Sequence, residues 1–192
     1  MKNARSLILA TISAGLGAVI GWGSFVALTG PLASEDMKLG AWTTLNNIGE
    51  AQQSPYTRAR VAIYGIWGLP PSEVIYFSAF NDDAGDALNP KCTYELRAPS
   101  PPARWWSVTA YRDGFYIDNN DDRYSLSQST IKAQPNGDWQ IKLSPDGSGE
   151  NGLALGHQPG RIQLSYRLYQ PQPGIADNRQ KVVVPTIKKT VC

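Results

Sequence analysis

The 192-residue chain carries 18 basic and 16 acidic residues, a formal net charge of +2, and 42% hydrophobic residues. This near balance, without a long run of like charges, argues against nucleic acid as a partner, because phosphate-backbone binding requires a basic surface. Once a membrane segment is set aside, about 150 residues remain, enough for one domain with a single core. The 14 prolines and 18 glycines favour short strands and turns over a helical bundle. A mainly β fold is therefore expected.

An uncharged run at residues 6–29 follows the basic residues Lys2 and Arg5. As a helix this run would reach about 36 Å, which is sufficient to cross a bilayer core of roughly 30 Å. A cleavable signal peptide has a shorter apolar region, and residues 27–30 fit a cleavage site poorly. We therefore predict an uncleaved membrane anchor at 6–29, with residues 1–5 in the cytoplasm and the rest of the chain outside.

Small residues recur along this run at three- and four-residue steps, namely Ala10, Ala14, Gly17 and Gly21. They share one face of a helix, and the GxxxG pair allows another helix to approach closely in lipid. The pattern predicts a transmembrane protein partner. The alternative is an anchor that is rich in Ala and Gly without a packing reason.

Two short helices are expected between the anchor and the strands. Residues 30–53 read as a linker and one short amphipathic helix at 38–50, since Leu39, Trp42, Leu45 and Ile48 recur every three residues. A second helix is predicted from Ser54 and Pro55, with its apolar side continuing to Ile66 and Trp67 ahead of two prolines. Residues 54–192 then form the β-rich domain.

The first predicted strand, Val74 to Phe80, is a continuous apolar run bounded by turn formers, which is typical of a central strand. It ends in the acidic segment 81–86. That segment supplies oxygens for calcium, but it lacks the alternating pattern of an EF-hand loop, so a solvated turn is the preferred interpretation. A short strand at Thr93 to Arg97 follows.

The clearest β pattern lies at residues 104–125. One face carries Trp106, Val108 and Ala110, and the other carries Trp105, Ser107, Thr109 and Tyr111. This alternation predicts a strand with one core face. Asp113 and Gly114 then suit a tight turn into a partner strand at 115–117.

The remaining segments are read in the same way. Residues 118–122 predict an acidic turn whose side chains bond its own backbone. Alternating patterns predict strands at 138–144 and 161–169, residues 144–160 read as loop, and residues 182–184 suggest a last short strand.

Two cysteines occur, Cys92 and Cys192. In an oxidising compartment a disulfide between them is the simplest use of the pair; the alternative is two free thiols. Two cysteines and a single histidine do not supply the usual zinc ligands, so neither a metal nor a cofactor is expected.

Several of these segments together are typical of one family. They are Tyr56 with Arg58 and Ala59, the NDDAGDAL segment, Cys92 and Tyr94, residues 103–111, Asn119 or Asn120, Arg123 to Ser125, and RLYQP at residues 167–171. In this order, over residues 54–185, the chain resembles the family of domain of unknown function 1214.

The resemblance implies a bacterial, exported or envelope-associated protein with a β-sandwich or jelly-roll-like fold. It places the anchor in the inner membrane and the domain in the periplasm, and it brings no established catalytic residues. The chain departs from the family pattern at Gly152 and Ala154, where a tryptophan and a proline are expected.

Three classes of function are considered. The favoured one is a non-catalytic accessory subunit of a membrane complex, because it explains the anchor and the small-residue stripe. The first alternative is a carbohydrate- or small-ligand-binding module whose candidate face is Trp105, Tyr111, Arg123, Arg167 and Tyr169, with Tyr116 beside it. The structural alternative is that these aromatic residues plug the edges of the sandwich and that the arginines pair with Asp121 or Asp122.

The second alternative is an envelope hydrolase. His157 is the only histidine and has no nucleophile elbow beside it. Paired carboxylates at residues 118–122 would need a cleft that sequence neighbours rarely form. No catalytic residue is assigned.

Overall fold

The computed structural model describes residues 2–29, 36–45, 48–50, 53, 55–63 and 68–192. Contacts divide the chain into two compact units, one of Met1–Glu35 with Ala51–Trp67 and one of Asp36–Glu50 with Gly68–Cys192.

The first unit contains two helices. The helix α1 spans Lys2–Thr29 and the helix α2 spans Pro55–Ile63. Within α1 the 24 residues Ala4–Ala27 have a mean hydropathy of 1.6 and none is buried. By length and composition this helix could cross a membrane, although a signal sequence meets the same criteria. The helix α2 begins at Pro55 as predicted, whereas its cap at Ser54 and its continuation at 64–67 lie outside the described residues.

The second unit is built from strands, which were expected from the short alternating segments. In chain order they are β1 (Asp36–Leu39), β2 (Trp42–Leu45), β3 (Val74–Ala79), β4 (Thr93–Ala98), β5 (Ala103–Arg112), β6 (Phe115–Tyr116), β7 (Ser125–Ser127), β8 (Trp139–Ser144), β9 (Gly152–Ala154), β10 (Ile162–Pro171) and β11 (Thr186–Val191).

These strands form two sheets within the described ranges. The larger, seven-stranded sheet runs β1-β2-β3-β10-β5-β6, and β7 also pairs with β5; the smaller, four-stranded sheet runs β11-β4-β8-β9. All pairings in the larger sheet are antiparallel. In the smaller sheet β8 and β9 are parallel.

The buried faces of both sheets meet in one core. Trp106, Val108 and Ala110 are buried as the alternation predicted, and so are the inward residues of β8 and β10. Trp106 of the larger sheet stacks on Trp139 of the smaller one with ring centroids 4.4 Å apart. Apolar residues of both sheets thus share one hydrophobic core, and their burial is the main source of stability.

The predicted helix at residues 38–50 is wrong where the structure describes it. The strands β1 and β2 form a hairpin there, and Gly40 turns between them with a φ of 58°. Trp42 faces Ala79 of β3, is 1% exposed, and donates its indole N–H to the Pro185 carbonyl at 2.6 Å. Pairing with a distant strand therefore overrides the three-residue apolar spacing.

Two other segments also differ from the predictions. Residues 144–160 are not only loop, since β9 lies within them beside β8. Residues 182–184 are not a strand: Val182 ends a 3-10 turn at Arg179–Lys181, and the last strand is β11. The strand β9 has only three residues, and β11 pairs with the distant strand β4, so short local patterns carry little signal for either.

Candidate functional site

The surface of the larger sheet that points away from the core is here called the outer face. Directly opposite residues of antiparallel strands point to the same side. Tyr169 of β10 lies opposite Trp105 of β5, and Arg167 lies opposite Ser107 of β5 and Tyr76 of β3. The register therefore places Trp105, Tyr111, Arg167 and Tyr169 on one face, as the candidate ligand face requires.

Arg123 is the exception among the five candidate residues. Its guanidinium donates to the carbonyls of Gly149 at 3.3 Å and Gly152 at 3.2 Å. These carbonyls belong to the segment around β9 of the smaller sheet. Arg123 thus holds a loop in place. Its partners are these carbonyls and not Asp121 or Asp122, so the predicted pairing of Arg123 with one of these aspartates is wrong.

One end of the outer face is aromatic. The rings of Trp105 and Tyr169 lie 5.0 Å apart at a tilt of 59°, and the Trp105 indole donates to the Ser129 hydroxyl at 2.8 Å. Beside them lies a depression of about 300 Å³ whose lining combines apolar and polar side chains: Leu69, Glu73, Val74, Arg104, Trp105, Tyr169 and Gln170. A lining that combines apolar and polar side chains is usual for a small-ligand site.

The centre of the outer face carries Arg167, which is half-buried. Its two terminal nitrogens donate to the Thr109 hydroxyl at 3.0 Å and to the Tyr111 hydroxyl at 2.7 Å. The guanidinium carbon lies 5.8 Å from the centre of the Tyr111 ring, and Tyr111 stacks on Tyr116 at 5.2 Å. The side chain is therefore fixed within a group of tyrosines.

The positive charge of Arg167 affects the pKa values of Tyr76 and Tyr116. Burial raises the pKa of Tyr76, and the nearby guanidinium opposes that shift. The adjacent Tyr111 raises the pKa of Tyr116, again against the effect of Arg167. Both hydroxyls stay protonated near neutral pH and can donate hydrogen bonds. Tyr76 is not predictable as a member of this face, because the continuous apolar run of β3 is typical of a strand that is buried on both faces.

The acidic segment after β3 is a turn that hydrogen bonds and an ion pair hold in place. Asp82 is 2% exposed, and its Oδ1 accepts the backbone N–H groups of Ala84 and Asp86. Asp83 accepts the N–H of Ile187 in β11, and Asp86 pairs with Lys189 at 2.6 Å. These carboxylates serve the backbone and β11, in line with the turn interpretation.

The second acidic loop is organised by one amide. Asn119 Oδ1 accepts the N–H groups of Asp121 and Arg123, while its Nδ2 donates to the carbonyls of Ile117 and Arg123. This confirms that the loop satisfies its backbone through its own side chains.

His157 contacts Asp146 at 2.7 Å, and both side chains are about two-thirds exposed or more, at 68% and 70%. This pair is a surface contact between two loops. Within the described residues no group of three or more His, Cys, Asp or Glu side chains could hold a metal ion.

Cys92 and Cys192 form a disulfide, as predicted. It joins the residue before β4 to the residue after β11, two strands that pair along their length.

The residues proposed for helix packing lie along α1. A Cβ added at Gly17 or Gly21 would meet no atom within 4 Å. Ala10, Ala14 and both glycines are exposed in the described chain.

The two sheets and the aromatic and cationic outer face define a β-rich domain of the kind expected from the sequence motifs. The family model for DUF1214, described as a protein of unknown function, matches residues 73–173, and the chain belongs to this family. The matched range contains the whole candidate ligand face. No protein with a curated description matches the chain.

Two solved structures match the chain. The VPA0106 protein from Vibrio parahaemolyticus is 26% identical, with a TM-score of 0.58, over 70% of this chain and 35% of its own length. An uncharacterised protein from Burkholderia cenocepacia is 15% identical, with a TM-score of 0.37, over 62% of this chain and 29% of its own. The chain thus spans about a third of the length of each.

Proposed function

We propose that the chain is a membrane-tethered, exported accessory protein without a catalytic role of its own. The observation that carries this proposal is α1, whose 24-residue apolar segment has no buried residue. Such a surface is stable only when lipid or another apolar helix covers it.

The disulfide supports the exported location. A bond between Cys92 and Cys192 persists in oxidising compartments and is rare in a reducing cytoplasm. Together with the basic residues Lys2 and Arg5 in the first turns of α1, it favours a cytoplasmic N-terminus, an anchor in a bacterial inner membrane, and a periplasmic domain. The stacked Trp106 and Trp139 support a β-sandwich for that domain.

A partner within the membrane is proposed from the small-residue stripe of α1. Ala10, Ala14, Gly17 and Gly21 fall within about 60° of one another on a helical wheel. Gly23 lies on the opposite side. Because a Cβ added at Gly17 or Gly21 would meet no atom within 4 Å in the described chain, this stripe leaves space for the close approach of another helix.

The test is affinity purification of the full-length protein from native membranes in mild detergent, followed by mass spectrometry. We expect membrane subunits in stoichiometric amounts with the unmodified protein and their loss from a Gly17→Leu, Gly21→Leu variant. The control is Gly23→Leu, which adds the same kind of bulk on the other face and should retain the subunits. Recovery of the protein alone, or equal losses in all variants, would count against a partner at this stripe.

A second candidate function is binding of a carbohydrate or another small ligand. The specific observation that favours it is the outer face, where the Trp105 and Tyr169 rings lie beside a depression of about 300 Å³. Aromatic rings bury large apolar areas while polar neighbours orient a ligand. Substituting Trp105 with Ala should weaken binding of such a ligand without unfolding the domain.

A further inference from the structure

Arg167 is a half-buried cation whose side-chain partners are hydroxyl groups and not a carboxylate. Arg123 and Arg179 also have no carboxylate within 4 Å among the described residues, but their guanidinium groups donate to backbone carbonyls. Arg97 pairs with Asp138 at 2.9 Å, and Lys132 pairs with Glu150 at 2.8 Å. No carboxylate of the described ranges lies within 4 Å of the Arg167 guanidinium, although that side chain is half-buried. Partly buried charges in proteins are normally paired, so the guanidinium of Arg167 can take an external anion as a partner.

The guanidinium is held in a fixed orientation. Thr109, which is 2% exposed, and Tyr111 each accept one of its hydrogen bonds. The remaining N–H groups have no acceptor within the described part of the chain. A planar guanidinium with free N–H groups matches the two oxygens of a carboxylate.

The surroundings of Arg167 suit a hydroxylated ring attached to that anion. Tyr116 is 59% exposed and presents its ring on the stack with Tyr111. Gln163 and Ser78, which bond to each other at 3.2 Å on the same face, add polar groups that can donate and accept. The aromatic rings can pack against the apolar face of a sugar ring, while the amide and hydroxyl groups can form hydrogen bonds with the sugar hydroxyls.

We propose that Arg167 binds the carboxylate of a small sugar acid of the uronic acid class on the outer face. This inference rests on the ligand-binding candidate described above and names its ligand chemistry. The carboxylate accepts hydrogen bonds from Arg167, and the sugar ring packs against the exposed tyrosine rings.

The test is isothermal titration of the full-length protein in detergent micelles with glucuronate and with glucuronamide, its neutral isostere. We expect glucuronate to bind roughly tenfold more tightly or better, the difference expected for hydrogen bonds to a charged group. Arg167→Gln should remove that difference. Arg97→Gln is the matched control, because it removes an exposed arginine of the smaller sheet and should leave binding unchanged.

Three results would overturn the inference, and they differ in what they imply. Equal binding of the acid and the amide would remove the carboxylate role while leaving ligand binding standing. Tighter binding of glucose 6-phosphate than of glucuronate would assign the site to phosphate. Absence of binding by all three probes would reject ligand binding on this face as well.

If Arg167→Gln does not fold, Tyr111→Phe replaces it. This variant keeps the ring and removes the hydroxyl that accepts from Arg167, so the preference for glucuronate should fall several-fold. An unchanged preference in a folded Tyr111→Phe protein would contradict the proposed geometry.

Discussion

Tyr166 has a hydroxyl that the core leaves without a hydrogen-bond partner among the described residues. Its side chain is fully buried on β10, with the rings of Trp42, Trp106 and Trp139 at centroid distances of 5.9, 6.1 and 5.8 Å. Burial raises its pKa far above the ordinary value, so the phenol stays neutral. A buried polar group without a partner keeps the cost of its lost hydration, about 1–3 kcal/mol.

We therefore predict that Tyr166→Phe leaves the free energy of unfolding unchanged or raises it by up to about 1 kcal/mol, because only an unsatisfied hydroxyl is removed. Tyr94→Phe is the matched control. The Tyr94 ring is also buried, but its hydroxyl accepts the Asn89 N–H at 2.8 Å, so its loss should cost about 1 kcal/mol. Chemical denaturation of both variants measures the contrast, and a larger loss for Tyr166→Phe than for Tyr94→Phe would reveal a hydrogen bond in the core.

The residues of the candidate face illustrate what can be predicted at this scale. Trp105, Tyr111, Arg167 and Tyr169 come from two strands with clear alternation, so the sequence alone places each on the non-core side. Arg123 lies in a loop, where no periodicity indicates the direction of a side chain. Its carbonyl partners near Gly149 and Gly152 become neighbours only through the fold.

At the scale of the element, β5 depends on Trp106 for its contact with the smaller sheet. The side chain is 2% exposed and stacks on Trp139. We predict that Trp106→Ala lowers the free energy of unfolding by about 3–5 kcal/mol, as expected when a large core ring is removed. Trp105→Ala, on the outer face of the same strand, should cost clearly less. A loss below about 1 kcal/mol for Trp106→Ala would show that the two sheets do not depend on this contact.

The strand β9 fits its neighbours because residue 152 is glycine. A Cβ at Gly152 would lie 2.1 Å from the Gly147 carbonyl oxygen and 2.8 Å from that of Ser148. The tryptophan that the family pattern favours at this position therefore has no room in the present loop. The loop 147–149 occupies that space, and its carbonyl at Gly149 also binds Arg123.

We predict that Gly152→Ala destabilises the protein by about 1–3 kcal/mol, the usual cost of overpacking. The comparison variant is Gly114→Ala in the β5–β6 turn. Gly114 has a φ of 86° and open space around a Cβ, so it should show only backbone strain, about 1–2 kcal/mol. Thermal melting and hydrogen exchange at residues 147–154 report the difference. Faster exchange there should appear only in Gly152→Ala; unchanged exchange would mean that the loop has space for a side chain.

The elements that the sequence predicts well share a physical property. In the strands β5, β8 and β10, apolar and polar residues alternate over six or more positions. One face of each strand lies in the core, and the requirement for apolar side chains on that face produces the pattern. The strands β1, β2 and β9 are only three or four residues long. The strand β2 pairs with the distant strand β3, and β9 lies parallel to β8. Apolar residues at every third position then resemble the sequence pattern of an amphipathic helix, as they do around Trp42.

At the scale of the whole molecule, the disulfide closes a loop of about 100 residues. Cys92 and Cys192 are 100 positions apart, so most of the β-rich unit lies between them. The bond joins the ends of β4 and β11 at the edge of the smaller sheet, where Ile187 is fully buried and Lys189 pairs with Asp86. The disulfide therefore stabilises the protein mainly by restricting the conformational freedom of the unfolded chain. In the folded state, side-chain contacts hold β11 in place.

We predict that reduction of this disulfide lowers the free energy of unfolding by about 2–4 kcal/mol, the range typical of one disulfide. The full-length protein in mild detergent is unfolded with and without reductant, and Cys92→Ser, Cys192→Ser is measured beside it. Reductant should shift the unmodified protein towards the variant and leave the variant itself unaffected. Since β11 retains its own contacts, the reduced protein should remain folded at low denaturant, with faster hydrogen exchange at residues 186–191. Identical unfolding of the oxidised and reduced protein would contradict this prediction, since it would show that the disulfide does not further restrict the unfolded chain. The disulfide would then indicate an oxidising compartment without contributing to stability.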